Sequence, residues 1–265
     1  MKEKKMKEKK MKEKKMKEKK MKPTVPETVL TTVLTTVYGS VESDWHQHEN
    51  GKGWVYKNAR VEAGVYLGST SKVSDNARVS GNAHVSGYAE VSGNARVSGN
   101  ARVSGYAEVS GNSRMFDNAQ VYGNSRLFGN AQVFDNARLF GNAQVGGDAR
   151  LFGDAQVGGD VWVSGNAQIA GDAQIAGDAR VQGNARVQGN VWAHSPLYIQ
   201  GTRHAVTLAS HTQIAIGCHI QDIEYWKKHY RTMGRIESYT PEQIAEYRAY
   251  INLCAKTAKQ FVANK

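Results

Sequence analysis

Only two cysteines and four prolines occur among the 265 residues. Cys218 and Cys254 stand 36 positions apart, which gives neither a disulfide framework nor a CxxC metal site and no reason to place the chain in an oxidising compartment. No run of 18 apolar residues exists, so no membrane-spanning helix is expected. A charge excess is also missing from most of the chain. Residues 1–22 hold 13 Lys and 4 Glu and so supply +9 of the net +11, whereas 55–200 sum to +1. The rest is a near-neutral body. With 40% hydrophobic and 22% charged residues, the chain is too apolar for a disordered polymer and too short for more than one or two domains.

Residues 1–22 repeat Met-Lys-Glu-Lys-Lys four times before Met21-Lys22. A period of five fits neither helix nor strand, so a disordered, solvated Lys-rich tail is expected, with a contact arm for nucleic acid or an anionic surface as the second reading. Residues 23–54 form an entry segment whose β-branched run at 24–37 reads as extended and is expected to cover the open edge of the repeat array that begins at Val55. The stretch 28–37 is too polar for a secretory core, which favours a cytoplasmic location.

From Val55 to Ile199 an aliphatic or small residue recurs at every sixth position for 25 registers, through Val61, Leu67, Val73 and Val79 to Val187 and Ala193. Four positions after each stands a small or aliphatic residue, such as Ala59, Ala77, Ser113 or Val191, and Gly followed by Asn or Asp lies between. In Ala77-Arg78-Val79-Ser80 the strand period of two sends Ala77 and Val79 inward and Arg78 and Ser80 outward. Gly81-Asn82 then turns the corner, Gly because it is permissive and Asn because it tolerates the left-handed region. A six-residue side closes most simply as a triangle, giving coils of 18 residues. About eight coils stacked at ~4.8 Å make a rod of about 40 Å. Each coil buries only a thin apolar thread, so its stability rests on its neighbours.

With its aliphatic first and small fifth positions, the segment 55–200 resembles the hexapeptide-repeat proteins that fold as left-handed parallel β-helices. The resemblance implies an all-β solenoid, a left-handed triangular β-helix, and a homotrimer, since most members are trimeric. Hexad spacing alone also suits right-handed bactofilin-like polymers. Members include acyltransferases, γ-type carbonic anhydrases and non-catalytic proteins. The Val-Ser-Gly-Asn-Ala-Arg hexads, followed by Ile216-Gly217-Cys218-His219 and a helix with Trp226, are similar to repeat proteins encoded by bacteriophages and prophages. That likeness implies a host-cytoplasmic protein.

Stacking by 18 sorts the outward residues into three faces. One carries Arg60, Arg78, Arg96, Arg114, Gln132, Arg150, Gln168 and Arg186 in a row. Guanidinium groups ~4.8 Å apart repel one another, so the row reads either as extended solvated side chains or as a seat for an anion laid across them. Phe116, Phe134 and Phe152 come next on the same strands, with Tyr122 and Phe140 on the second face and Phe128 on the third. All six are expected to point outward, as an oligomer interface or as a platform for bases or sugars.

The resemblance places a catalytic His beside an extruded loop in acyltransferases, and three His across a subunit boundary in γ-type carbonic anhydrases. No loop interrupts the 25 registers here. His84, His194, His204 and His211 are the candidates for an acyl-transfer role, while His46 and His48 share one side of a strand without a third ligand motif. Cys218, His219 and His211 cluster near the end of the array. No catalytic residue, metal or cofactor is assigned.

Residues 201–219 read as a last irregular coil and 220–265 as a helical cap. Asp222 is expected to cap a helix with the stripe Ile223, Trp226, Tyr230 and Met233. Thr240-Pro241-Glu242-Gln243 has the form of a capping box opening a second helix, with Ile244, Tyr247, Ile251, Cys254 and Ala258 on its apolar face. Both helices are expected to cover the open end of the rod. The function expected from all this is non-catalytic: a phage-type β-helical protein presenting its Arg/Gln ladder and aromatics to an anionic partner (nucleic acid, nucleotide or polysaccharide), including sequestration of a nucleotide at subunit grooves. The alternatives are an acyltransferase using acyl-CoA or a nucleotide sugar, and a self-associating structural rod.

Overall fold

A computed structural model describes residues 44–263 except 190, 193 and 194. The tail at 1–22, the run at 24–37 and His194 therefore lie outside the described residues. In the array each hexad contributes a strand of about two residues; Arg78–Val79, His84–Val85 and Glu90–Val91 are the three sides of one coil. Residues 18 apart pair in parallel, as in Arg78↔Arg96, His84↔Arg102 and Glu90↔Glu108. Among the described residues these pairings make three sheets of nine, eight and eight strands, the walls of a triangular β-solenoid of about eight coils.

The interior is what the spacing dictates. Val79, Ala83, Val85, Ala89 and Val91 are all within 1% of complete burial, and the same columns continue up the rod. The N–H of Arg78 donates to Ala95 O at 2.9 Å and that of Asn82 to Gly99 O at 2.9 Å, so the corners as well as the sides are bonded from coil to coil. Three buried serines replace alanine in the small column. The hydroxyls of Ser71 and Ser125 turn back to the carbonyls of Gly68 and Tyr122, whereas that of Ser113 finds no partner among the described residues.

At the corners the expected division of labour is corrected. The left-handed residue is the first of the pair: Gly81 has φ 68°, and where Gly is missing Asp75, Asp117 and Asp135 take φ 56–58°. Asn82 is not among the positive-φ residues. A Cβ on Gly81 would approach the Gly99 backbone to 3.1 Å, so the column favours Gly for space as well as for φ. Asp is one of the few other residues that visit this region, and here the carboxylates of Asp75 and Asp135 reach the next coil to accept the N–H of Gly93 and Gly153 at 2.8 and 2.9 Å. Asn serves instead through its side chain. Asn94 donates to Asn112, Asn112 to Asn130 and Asn130 to Asp148, at 3.0, 3.1 and 2.8 Å. The other two corners carry equivalent ladders ending on Asp154 and Asp160. These three chains of aligned amides thus end on a carboxylate, the stronger acceptor, while further along one column Asn166 donates to Asn184 at 3.0 Å.

The ends are closed differently from the body. At the start, His48 is buried with Nε2 2.9 Å from Val65 O, and the turn after it runs against the Leu67 backbone. At the other end, residues 201–219 are not an irregular coil. Tyr198–Gln200, Ala205–Leu208, Gln213–Ile216 and His219–Asp222 form a four-stranded antiparallel sheet in sequence order. It joins the last coil through Gln188 N–H to Ala209 O at 2.7 Å. Helix α1 (Ile223–Ile236) and helix α2 (Pro241–Ala263) pack on this sheet, so it is the sheet and not the helices alone that covers the solenoid. Trp226 of α1 donates its indole N–H to Ile214 O at 2.8 Å, and Tyr247, Ile251 and Cys254 of α2 join the common core. The Thr240/Gln243 capping box is complete, at 3.0 and 3.3 Å. Asp222 occupies the N-cap of α1, but its side chain makes no capping bond.

Candidate functional site

Arg60, Arg78, Arg96 and Arg114 stand in direct strand register on four consecutive coils, and Gln132, Arg150, Gln168 and Arg186 continue the column. The first four and Arg150 are exposed. Among the described residues no carboxylate lies within ion-pair distance of these five. Arg186 differs: its Nη1 donates to Cys218 O at 3.3 Å, which ties it to the antiparallel sheet.

A neighbouring face solves the same problem in another way. There Lys72 lies 3.6 Å from Glu90, and Arg126 lies 3.2 Å from Glu108, so these four charges cancel in pairs along the rod axis. The arginine column lacks such relief. Neighbouring like charges on strands ~4.8 Å apart repel by on the order of 1 kcal/mol per pair at water's dielectric. A bound anion removes that repulsion and adds charge-assisted, bidentate bonds.

The six aromatics do not form one open patch. All are half-buried and sit at the three corners around the middle of the rod. Phe116, Phe134 and Phe152 are a parallel stack with ring centroids 4.9 and 5.2 Å apart, and Tyr122 stacks on Phe140 at 5.5 Å. Above Phe128 and Phe140 the next coil has Gly146 and Gly158, and each ring fills the space a Cβ would take there. A base held between two rings needs a gap of about 7 Å, twice a van der Waals contact. The stacks are therefore closed to insertion. The Gly146-Gly147 and Gly158-Gly159 pairs, each 18 residues after a corner Phe, were the signal in the sequence that these rings pack along the rod.

The histidines are mostly engaged. His84 stacks on Tyr66 with centroids 4.4 Å apart; its burial, and then the Arg102 charge, hold its pKa below the ordinary histidine value. His46 is exposed while His48 is buried against Val65, so the two do not share a surface. His211 sits edge-on to Trp192 at 5.2 Å, away from Cys218 and His219. His204, Cys218, His219, Glu237, Tyr239 and Tyr247 line a cavity of about 40 Å³ between the sheet and the helices. His204 Nδ1 meets the Tyr239 hydroxyl, Tyr247 donates to His204 O at 2.6 Å, and His219 Nε2 lies 3.1 Å from Glu237. That volume holds a few waters and no nucleotide. Among the described residues no three His, Cys, Asp or Glu side chains converge in a way that would hold a metal ion, and no helix is long and apolar enough to cross a membrane.

No curated protein matches the chain at a significant level. Residues 72–87, 89–105, 95–111 and 131–147 match the family described as YdcK beta solenoid repeat. These segments are coils of the parallel array, built on the 18-residue register and the buried columns described above. By fold and by repeat sequence together, the chain is a β-solenoid repeat protein.

Proposed function

We propose that this protein is a non-catalytic, phage-type binding and scaffolding rod whose arginine face takes an extended polyanion laid along the axis. The observation that carries this reading is the column Arg60, Arg78, Arg96 and Arg114, in register, exposed and without carboxylate partners among the described residues, beside a face where Lys72 and Arg126 are paired with Glu90 and Glu108. A linear ligand suits it better than a compact nucleotide, because the cations are spread over four coils. Nucleic acid and anionic polysaccharide share the required chemistry. The closed aromatic stacks favour contact through the ligand's backbone charges over base stacking. The homotrimer and the cytoplasmic location belong to the same reading and rest on the resemblance of the hexads.

The test is binding of fluorescent single- and double-stranded DNA, RNA and heparin across a salt series, with the full chain and with a form lacking 1–22. Affinity should fall linearly in log salt, and Arg78→Ala/Arg96→Ala should flatten the slope by roughly one to two. Binding that disappears with residues 1–22 and ignores the double substitution would refute the reading.

A further inference from the structure

The corner opposite the arginine face departs from the ladder pattern in one place. Every corner column is dominated by Asn and Asp, yet the hexads Gly87-Tyr88-Ala89-Glu90 and Gly105-Tyr106-Ala107-Glu108 put Tyr in the Asn position and Glu in the position before the aliphatic residue. They lie 18 residues apart, so the two tyrosines are neighbours on adjacent coils, and the Tyr88 N–H donates to Gly105 O at 2.7 Å. Their rings stack in parallel with centroids 5.2 Å apart and planes within 6°.

This stack is unlike the phenylalanine stacks. Tyr88 is 58% and Tyr106 62% exposed. A ring with one face covered by its neighbour keeps that much exposure only if its other face is open. The flanking residues in the column, Thr70 below and Asn124 above, are shorter, so each tyrosine overhangs a small polar residue. Nothing in the packing asks for these rings, because Asn fills the equivalent places and bonds onward, as Asn124 does to Asn142 at 3.0 Å. Exposed aromatic surface of this kind marks a binding site more readily than a structural need.

Each open ring is accompanied by an ion pair. Ala89 and Ala107 are buried, so Glu90 and Glu108, two residues past the tyrosines, emerge on the outer surface with them. Glu90 is held by Lys72 at 3.6 Å and Glu108 by Arg126 at 3.2 Å. The corner therefore offers apolar ring faces, phenol hydroxyls and a set of donors and acceptors whose charges cancel. A cationic partner would meet a neutralised surface, and an anion would meet carboxylates. A hydroxyl-rich, uncharged ligand with an apolar face suits the combination, the ring taking its C–H face and the ion pairs its hydroxyls.

From this geometry we infer a second binding site, at Tyr88, Tyr106, Glu90 and Glu108, for a neutral oligosaccharide running along the corner. It is independent of the arginine face. The experiment uses the full chain with cellohexaose, maltohexaose and chitohexaose as probes, read by calorimetry and by saturation-transfer NMR. Tyr88→Asn/Tyr106→Asn is the central variant, since it restores the residue the corner columns favour and leaves the coil intact, which an unchanged thermal unfolding midpoint would verify. At least one hexasaccharide should bind saturably and lose at least tenfold in affinity in that variant, with Arg78→Ala/Arg96→Ala unaffected. Three results would overturn the inference: no saturable binding of any of the three, binding indifferent to the tyrosines, or tyrosine-dependent binding of oligolysine stronger than that of any sugar. The last would mark a site for a basic peptide.

Discussion

Replacing Gly146 by Ala sets a methyl group against the ring of Phe128 one coil below. An ideal Cβ there lies 2.5 Å from the ring's Cζ and 2.9 Å from its Cδ2, where carbon atoms rest at about 3.5–4.0 Å, so the ring has to move by roughly 1 Å or leave its seat. Overpacking of this kind costs about 1–3 kcal/mol. Elsewhere in the Phe128 column Ser74, Ser92 and Ser110 stand in place of the ring, so Phe128→Ser should be accepted at a cost of about 1 kcal/mol, part of the value of burying a Phe. In that background the new methyl meets no ring. Gly146 does not have positive φ, so Ala should there be neutral or stabilising by about 0.5 kcal/mol through the unfolded chain. The coupling between the two positions is then about 2 kcal/mol. Urea unfolding of wild type, both single variants and the double variant, followed by circular dichroism and by tryptophan fluorescence, measures it. Gly158→Ala with Phe140→Ser provides a second, independent cycle. If Gly146→Ala costs the same with and without Phe128, to within about 0.5 kcal/mol, the ring does not occupy that space and the corner packing is wrong.

Buried polar groups give two further expectations. Ser113→Ala, which removes a buried hydroxyl without a partner among the described residues and installs the residue most common in its column, should raise stability by about 1 kcal/mol, whereas Ser125→Ala, whose hydroxyl bonds to Tyr122 O at 2.9 Å, should give no comparable gain; parallel urea titrations decide this. Burial, reinforced by Tyr247, pushes the Tyr239 phenol well above the ordinary tyrosine value, and burial pushes the Cys254 thiol up to about 12. Both hold their protons more tightly when folded, so their contribution is complete below the unfolded-state values and is lost as pH rises through the folded ones. Unfolding midpoints should therefore fall as pH is raised above about 9–10, and Tyr239→Phe should reduce the fall; a midpoint flat to pH 11 would contradict the burial of these groups.

The arginine column shows how far the sequence reaches. A strict period of six with three sides per coil makes every contact partner the residue 18 positions on, so Arg78 opposite Arg96 can be read directly from the letters. The same arithmetic places Phe116, Phe134 and Phe152 in one stack. It equally sets Lys72 beside Glu90 and Arg126 beside Glu108 while giving Arg96 only arginine neighbours, but it does not reveal that Arg186 is tied to Cys218, because that partner lies beyond the repeat.

Sequence alone determined the solenoid, its thin core and its inward and outward sides, since a backbone repeating every six residues can bury its aliphatic column in only a few ways. The capping box at Thr240 was equally local and equally legible. Only the tertiary structure decided the rest. It gave the left-handed conformation to Gly and Asp and the side-chain ladder to Asn, a choice set by how closely successive coils approach. It replaced the expected final coil by an antiparallel sheet, because once the period fails the pairing of 198–222 depends on contacts that no repeat announces. It also separated two kinds of aromatic position, closing the phenylalanines that directly follow the aliphatic residue over glycine and over each other while leaving Tyr88 and Tyr106, which take the Asn position of the corner, open.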